Sequence, residues 1–226
     1  MNSDKSMLAE TGDLTLGLIQ VESGPLSYLI ALPEDDGQAG PRPLLCFLHG
    51  YGEGAPMPIR QALTLHGPLA TGASIAAAGF IVVAPQLPVR GDFWYKHAAK
   101  VREIVRRVQM QHNGDPDRTF LTGFSFGGNG VLDLALVQPE FWTALWPVDP
   151  TRVPATDPQC PIWLSSGEIS RRYALAFMQR LGLKPLQPDA SQDRVYEDQN
   201  QDHVATARFA YRNDDAYRWL LSRQKQ

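Results

Sequence analysis

The chain reads as an α/β protein: a doubly wound, mostly parallel sheet with helices on both faces and an antiparallel hairpin at its N-terminal edge. Three observations predict this. Short continuous apolar runs such as Leu44 to Leu48, Phe80 to Ala84 and Pro161 to Ser165 have the length and composition of strands buried on both faces. They alternate with helical patterns, which implies parallel strands joined by crossovers of one hand. His49, Ser125, Asp149, Glu168 and His203 each follow a predicted strand, and sites in such sheets lie at the carboxyl ends of strands.

In order, Met1 to Asp13 reads as a loose tail, and residues 14–226 as one domain. Leu14 to Glu22 and Leu26 to Leu32 alternate in part around Ser23-Gly24-Pro25, as an edge hairpin does. Pro33 to Pro43 is a loop rich in Pro, Gly and acidic residues. The strand Leu44 to Leu48 ends in His49-Gly50-Tyr51-Gly52-Glu53. Ala55 to Ala78 is interrupted by Pro56, Pro58 and Pro68, so one helix is expected around Ser74 to Ala78 and irregular structure before it; residues 55–74 could serve as a partial lid. After the strand Phe80 to Ala84, Lys96 to Gln111 is an amphipathic helix with Val101, Ile104, Val105 and Val108 on one face. Asn113-Gly114-Asp115-Pro116 stops it. A strand from Thr119 leads to the helix Leu132 to Val137, then come the strands Trp142 to Val148 and Pro161 to Ser165. Arg171 to Leu181 reads as a helix stopped by Gly182, Arg194 to Tyr196 as a last short strand, Asn200 to His203 as a polar loop, and Asp214 to Arg223 as the final helix.

Composition narrows the function classes. The chain has 226 residues, 43% hydrophobic and 20% charged, with a net charge of -3 and no basic block, which argues against nucleic acid or an anionic membrane as partner. No apolar run reaches the ~20 residues of a membrane-spanning helix, and Met1 to Thr11 lacks the apolar core of a signal peptide. A cytoplasmic location is the expectation. Cys46 and Cys160 flank apolar runs and read as buried thiols, with a disulfide left open. There is no metal-ligand spacing, so no metal or cofactor is expected.

The chemistry centres on Gly123-Phe124-Ser125-Phe126-Gly127-Gly128. An apolar run precedes it and a helical pattern follows, the strand–turn–helix setting of a nucleophile elbow. A serine hydroxyl is a weak nucleophile and needs an adjacent base, for which histidine is suited by its ordinary pKa. Of the five histidines, His66, His97 and His112 read as surface or packing residues. His203 lies between the last strand and the last helix, after the serine and after every candidate acid. Donors for an oxyanion are expected at the backbone N–H of Phe126 and, after the Leu44 to Leu48 strand, of Tyr51 between two glycines. Phe93, Trp94, Tyr95 and Trp146 could line an acyl pocket, or simply pack.

His49-Gly50-Tyr51-Gly52, the elbow and the late His203 resemble the α/β-hydrolase superfamily, and within it the phospholipase/carboxylesterase or dienelactone-hydrolase-like branch, from about Leu44 to the C-terminus. The resemblance implies Ser125 as nucleophile, His203 as base, and the Tyr51 and Phe126 N–H groups as oxyanion hole. It also implies a triad aspartate two residues beyond an acidic residue after Gly167, but that position holds Ser170. Asp149, closing the preceding strand, and Glu168, on the same loop, are the two substitutes, with Asp149 favoured. The function implied is hydrolysis of carboxylic esters or thioesters of a small or lipid-like acyl substrate. Its rivals are a peptidase or lactone hydrolase, and a hydrolase-fold binding protein with weakened or lost catalysis, which Ser170 would favour.

Overall fold

The structure, a computed structural model, describes residues 17–33, 40–188 and 191–225. The expected tail at 1–13, the start of the first expected strand and most of the loop at 33–43 lie outside them. Among the described residues nine strands form one sheet: β1 (Ile19–Val21), β2 (Tyr28–Ala31), β3 (Arg42–Leu48), β4 (Ile81–Pro85), β5 (Gly114–Phe124), β6 (Ala144–Val148), β7 (Ile162–Ser166), β8 (Lys184–Pro185) and β9 (Arg194–Asp198). Their spatial order is β1-β2-β4-β3-β5-β6-β7-β9-β8. The N-terminal pair is antiparallel, with Ile19 opposite Ile30 and Val21 opposite Tyr28, and β2 joins β4 antiparallel. Every pairing from β4 onward is parallel. The α/β class, the parallel sheet and the edge hairpin thus match the expectation.

Among the described residues seven α-helices accompany the sheet: α1 (Ile59–Leu63), α2 (Ala98–Gln111), α3 (Phe126–Val137), α4 (Glu168–Arg171), α5 (Ala174–Leu181), α6 (His203–Ala210) and α7 (Asp214–Leu221). Strand alternation divides the core in two. On β3, Leu44, Cys46 and Leu48 face the side covered by Val101, Ile104 and Val105 of α2, Val131 and Leu134 of α3, and Phe177 of α5. Leu45 and Phe47 face the other side, covered by Leu63 of α1, Ala207 of α6, and Tyr217 and Leu220 of α7. Runs that looked uniformly apolar are therefore two alternating sets, each buried by its own helical layer.

Several local expectations change. The Asn113-Gly114-Asp115-Pro116 stop holds, α2 ending at Gln111, but β5 begins within it rather than at Thr119: Gly114 pairs with Arg42, the register then shifts, and regular pairing resumes at Thr119 opposite Leu44. Meanwhile the Asp115 carboxylate accepts the Asp117 N–H at 2.8 Å, a local turn inside the strand. The expected helix around 74–78 is a 3₁₀ turn, Ile75–Gly79. The helix expected over 171–181 is broken into α4 and α5. The segment considered as a partial lid contains α1, and its Ala62, Leu63 and Leu69 are buried in the core. The two cysteines are free thiols.

From β3 the chain steps to β4 on one side, then crosses to β5 on the other. The carboxyl ends of β3 and β5 are thus a topological switch point, where a crevice opens between loops that leave in opposite directions. Tyr51 follows the first of these strands and Ser125 the second.

Candidate active site

Ser125 occupies the single residue between β5 and α3, with φ 57° and ψ -114°. That is an unfavourable backbone for a residue with a Cβ. It is held there from both sides: the Ser125 N–H donates to the Val148 carbonyl at 3.0 Å, and the Ser125 carbonyl accepts from Asn129 at 3.1 Å. The flanking glycines are sterically required. A Cβ on Gly123 would come within 2.6 Å of the Gly127 backbone, and one on Gly127 would overlap the Leu48 carbonyl. The helix begins at Phe126, not at Leu132, so its first turn opens directly beside the serine.

His203 is not in a loop, as its polar surroundings suggested, but is the first residue of α6. Asp202 caps that helix, its carboxylate accepting the Ala205 N–H at 2.8 Å. The imidazole lies against the Phe124 ring, centroids 4.6 Å apart. Its Nε2 is 2.9 Å from Ser125 Oγ, and its Nδ1 is 2.6 Å from Asp149 Oδ2. Asp149 follows β6 with φ 40° and is fully buried. Glu168 points elsewhere: it is exposed and pairs with Arg172 at 2.8 Å. Of the two acids considered, only Asp149 is brought to the histidine.

Ser170 stands where the resemblance implied an acid, and it hydrogen-bonds to Asp149 instead. Its hydroxyl donates to Asp149 Oδ1 at 2.6 Å and its backbone N–H to the same oxygen at 2.8 Å. The Gly167 N–H adds a third donor at 3.0 Å. Ser170 Oγ also lies 2.9 Å from Ser166 Oγ, which accepts from the Tyr196 hydroxyl at 3.0 Å. A continuous chain of hydrogen bonds therefore runs from Tyr196 through Ser166, Ser170, Asp149 and His203 to Ser125. Burial works against the Asp149 carboxylate, but the bonds from His203 and Ser170 outweigh it and hold the acid below its usual range. The sequence signal for Ser170 was its position in the strand-Gly-acid pattern; its function was not legible, because nothing in the pattern says which neighbouring strand supplies the carboxylate.

The loop after β3 forms the opposite wall. His49 is buried, and burial lowers its pKa to about 4. The neutral ring accepts the Leu87 N–H at Nε2, 3.0 Å away, which leaves its Nδ1 proton for the Gly50 carbonyl at 2.7 Å. Trp94 packs edge-on against it at 4.9 Å and donates to its carbonyl. Tyr51 follows, its ring edge-on to Phe126 at 5.2 Å, so the two residues named as oxyanion donors are in contact. Among the described residues neither backbone N–H has an acceptor. Phe93 extends this aromatic ledge, 5.6 Å from Phe126. Trp146 instead lies wholly in the core, its indole N–H on Ser165 Oγ.

Two residues unremarkable in sequence also belong here. Glu53 is buried, its Oε2 without a hydrogen bond among the described residues, and burial raises its pKa. His66, read as a packing residue, packs edge-on against the Phe124 ring at 4.9 Å and lies 3.7 Å from Glu53 Oε1. Neither sits in a motif, and only the fold brings them to the crevice.

No family model matches the sequence, and no curated protein matches it. Solved structures do match the fold. A thermostable esterase superposes with a TM-score of 0.71 at 19% identity, over 94% of this chain. The chain spans 64% of that esterase's length. An S-formylglutathione hydrolase from Staphylococcus aureus matches with a TM-score of 0.66 at 16% identity, over 91% of this chain and 96% of its own. A feruloyl esterase module from Clostridium thermocellum, complexed with sinapinate, gives 0.65 at 12%, over 88% and 87%. The chain has the α/β-hydrolase fold.

Proposed function

We propose that the protein is a serine hydrolase that cleaves carboxylic esters or thioesters through an acyl-enzyme. The observation that carries this is the line Asp149–His203–Ser125, with contacts of 2.6 and 2.9 Å, ending on a serine at a strained elbow. A binding protein has no use for that strain. The esterases and hydrolase among the structural neighbours support the same reading.

In the first step His203 Nε2 takes the Ser125 proton as Oγ attacks the substrate carbonyl. Asp149 fixes the tautomer, with the other proton on Nδ1, and stabilises the imidazolium. The oxyanion takes the Tyr51 and Phe126 N–H groups as donors, both without an acceptor of their own, beside the opening turn of α3. The imidazolium then protonates the departing alcohol or thiol. Water, deprotonated by the same nitrogen, releases the acid and restores Ser125. Every proton moves between substrate, water and these side chains. Two free thiols, one buried and one half-buried, suit a reducing compartment, and a cytoplasmic location goes with this reading.

The test is labelling by a fluorophosphonate together with hydrolysis of p-nitrophenyl and thiol esters of graded acyl length. Turnover and labelling in the wild type, both absent in Ser125→Ala and turnover absent in His203→Ala, is the expected result. Folded wild type that neither labels nor turns over any ester would overturn it.

A further inference from the structure

Beside His203 lies a cavity of about 220 Å³ between residues 65–73 and α6. Its α6 wall is formed by Val204, Ala207 and Arg208; Ala207 lies one turn beyond His203 on the same face, and Val204 and Arg208 lie one turn apart on the adjoining face. Leu65, His66 and Arg212 contribute from around it. The chain carries a net charge of -3, yet this lining holds two guanidiniums, one imidazole and no carboxylate. The two guanidiniums thus set the local sign, which runs against that of the whole molecule, while burial keeps the His66 imidazole toward its neutral form.

The two arginines are not equivalent. Arg212 is tied down: its Nε donates to the Gly72 carbonyl at 3.1 Å. Arg208 has neither hydrogen bond nor ion pair among the described residues, in a protein where most other arginines hold a carboxylate or a carbonyl. It is close enough to His66 to oppose a charge there. A guanidinium facing a concave wall with no anion opposite is half of a recognition pair, because its planar fork matches an oxyacid group. Arg208 lies five residues along α6 from His203, about 7.5 Å of helical rise from the proposed base. A substrate whose carbonyl sits at Ser125 would need a short spacer to reach it.

We propose that this cavity is a subsite for a carboxylate carried on the acyl chain, so that the preferred substrates are half-esters of short dicarboxylic acids, with Arg208 as the specificity-determining residue. Val204 and Leu65, both exposed and apolar, supply the contact surface for the methylene spacer. The proposal rests on the serine-hydrolase reading for its catalytic step, though not for binding.

The experiment compares mono-p-nitrophenyl adipate with p-nitrophenyl hexanoate, which differ by a terminal carboxylate against a methyl group. The quantity read is the ratio of their kcat/KM values. Wild type should favour the adipate by roughly 10- to 100-fold, the scale of a hydrogen bond to a charged group, and the preference should shrink as salt is raised. Arg208→Gln should bring the ratio near one, and Arg208→Glu should invert it. A wild-type ratio at or below one, or a preference that survives Arg208→Gln, overturns the subsite. Titration calorimetry of adipate itself against Ser125→Ala separates the two readings. If neither ester turns over but adipate binds, and Arg208→Gln abolishes binding, the subsite stands while the hydrolase reading falls. If neither turns over and adipate does not bind, both fall.

Discussion

The two ends of the proposed triad are built in opposite ways. At the nucleophile end the backbone supplies the geometry: Ser125 sits at a disfavoured φ because two glycines let strand and helix pass within contact of each other. At the acid end the backbone is supplemented by a dense set of donors, with Ser170 and Gly167 converging on one oxygen of Asp149 and His203 on the other. Both residues sit at a left-handed φ, 57° and 40°, but the serine is open to the crevice and the acid is buried and satisfied. The difference teaches that positioning by steric necessity leaves a sequence motif, whereas positioning by hydrogen bonds leaves only a constellation that the fold must assemble.

Removing the buried charge breaks the contrast most strongly. Asp149→Asn should lower kcat on the order of 10⁴-fold, because the asparagine amide favours the wrong imidazole tautomer. Glu168→Gln should leave steady-state kinetics at the wild-type level, since that side chain pairs with Arg172 at the surface. Equal losses in both variants, or loss only in the second, would transfer the acid's role to α4.

Acid should separate the two walls next. His49 is held neutral in the fold, with its pKa lowered from the usual 6.5 to about 4. The unfolded chain takes up that proton and the folded one does not. Stability is therefore unaffected above about pH 6.5 and falls as pH drops toward 4, by about 3 kcal/mol over that window. Asp149 has the opposite sign: its lowered pKa contributes stability that is present above the unfolded value of 3.8 and is lost only as pH falls through the folded one. The loop after β3 should thus weaken at mildly acidic pH while the acid end holds. Denaturant unfolding from pH 7 to 4 reads the slope, and His49→Asn should flatten it; a wild-type curve already flat over this range would refute the buried neutral histidine.

The smallest effect sharpens the comparison. Ser170→Ala removes one of three donors from Asp149 Oδ1 and should lower kcat roughly 10-fold with KM little changed. The carboxylate, less well held, should protonate at higher pH, so the acid limb of the activity profile should move up; Ser170→Thr, which keeps a hydroxyl, should restore it. A change in KM alone, or an unmoved acid limb, would reduce Ser170 to a packing role.

The legibility of the chain follows the same division. The parallel sheet and edge hairpin were readable because continuous apolar runs and alternating helices are properties of neighbours in sequence. The elbow was readable because close backbone approach demands glycine at Gly123 and Gly127. His203 was readable in order but not in place, although Asp202 before it carried a capping signal for α6. The choice between Asp149 and Glu168 was open because both close or follow a strand, and only the lateral order of β6 and β7 decides between them. Glu53 and His66 had no local signature at all. They meet across residues that the β3–β4 crossover folds back over the sheet.

Phe124 gives the site a further property. Its ring contacts both His66 and His203, and burial, with the charge of His203 after it, opposes protonation of His66. The ring is an insulator: it carries no exchangeable hydrogen, so no proton can hop between the two imidazoles through it. When the proposed base takes up its proton during turnover, its neighbour becomes harder to charge at that moment.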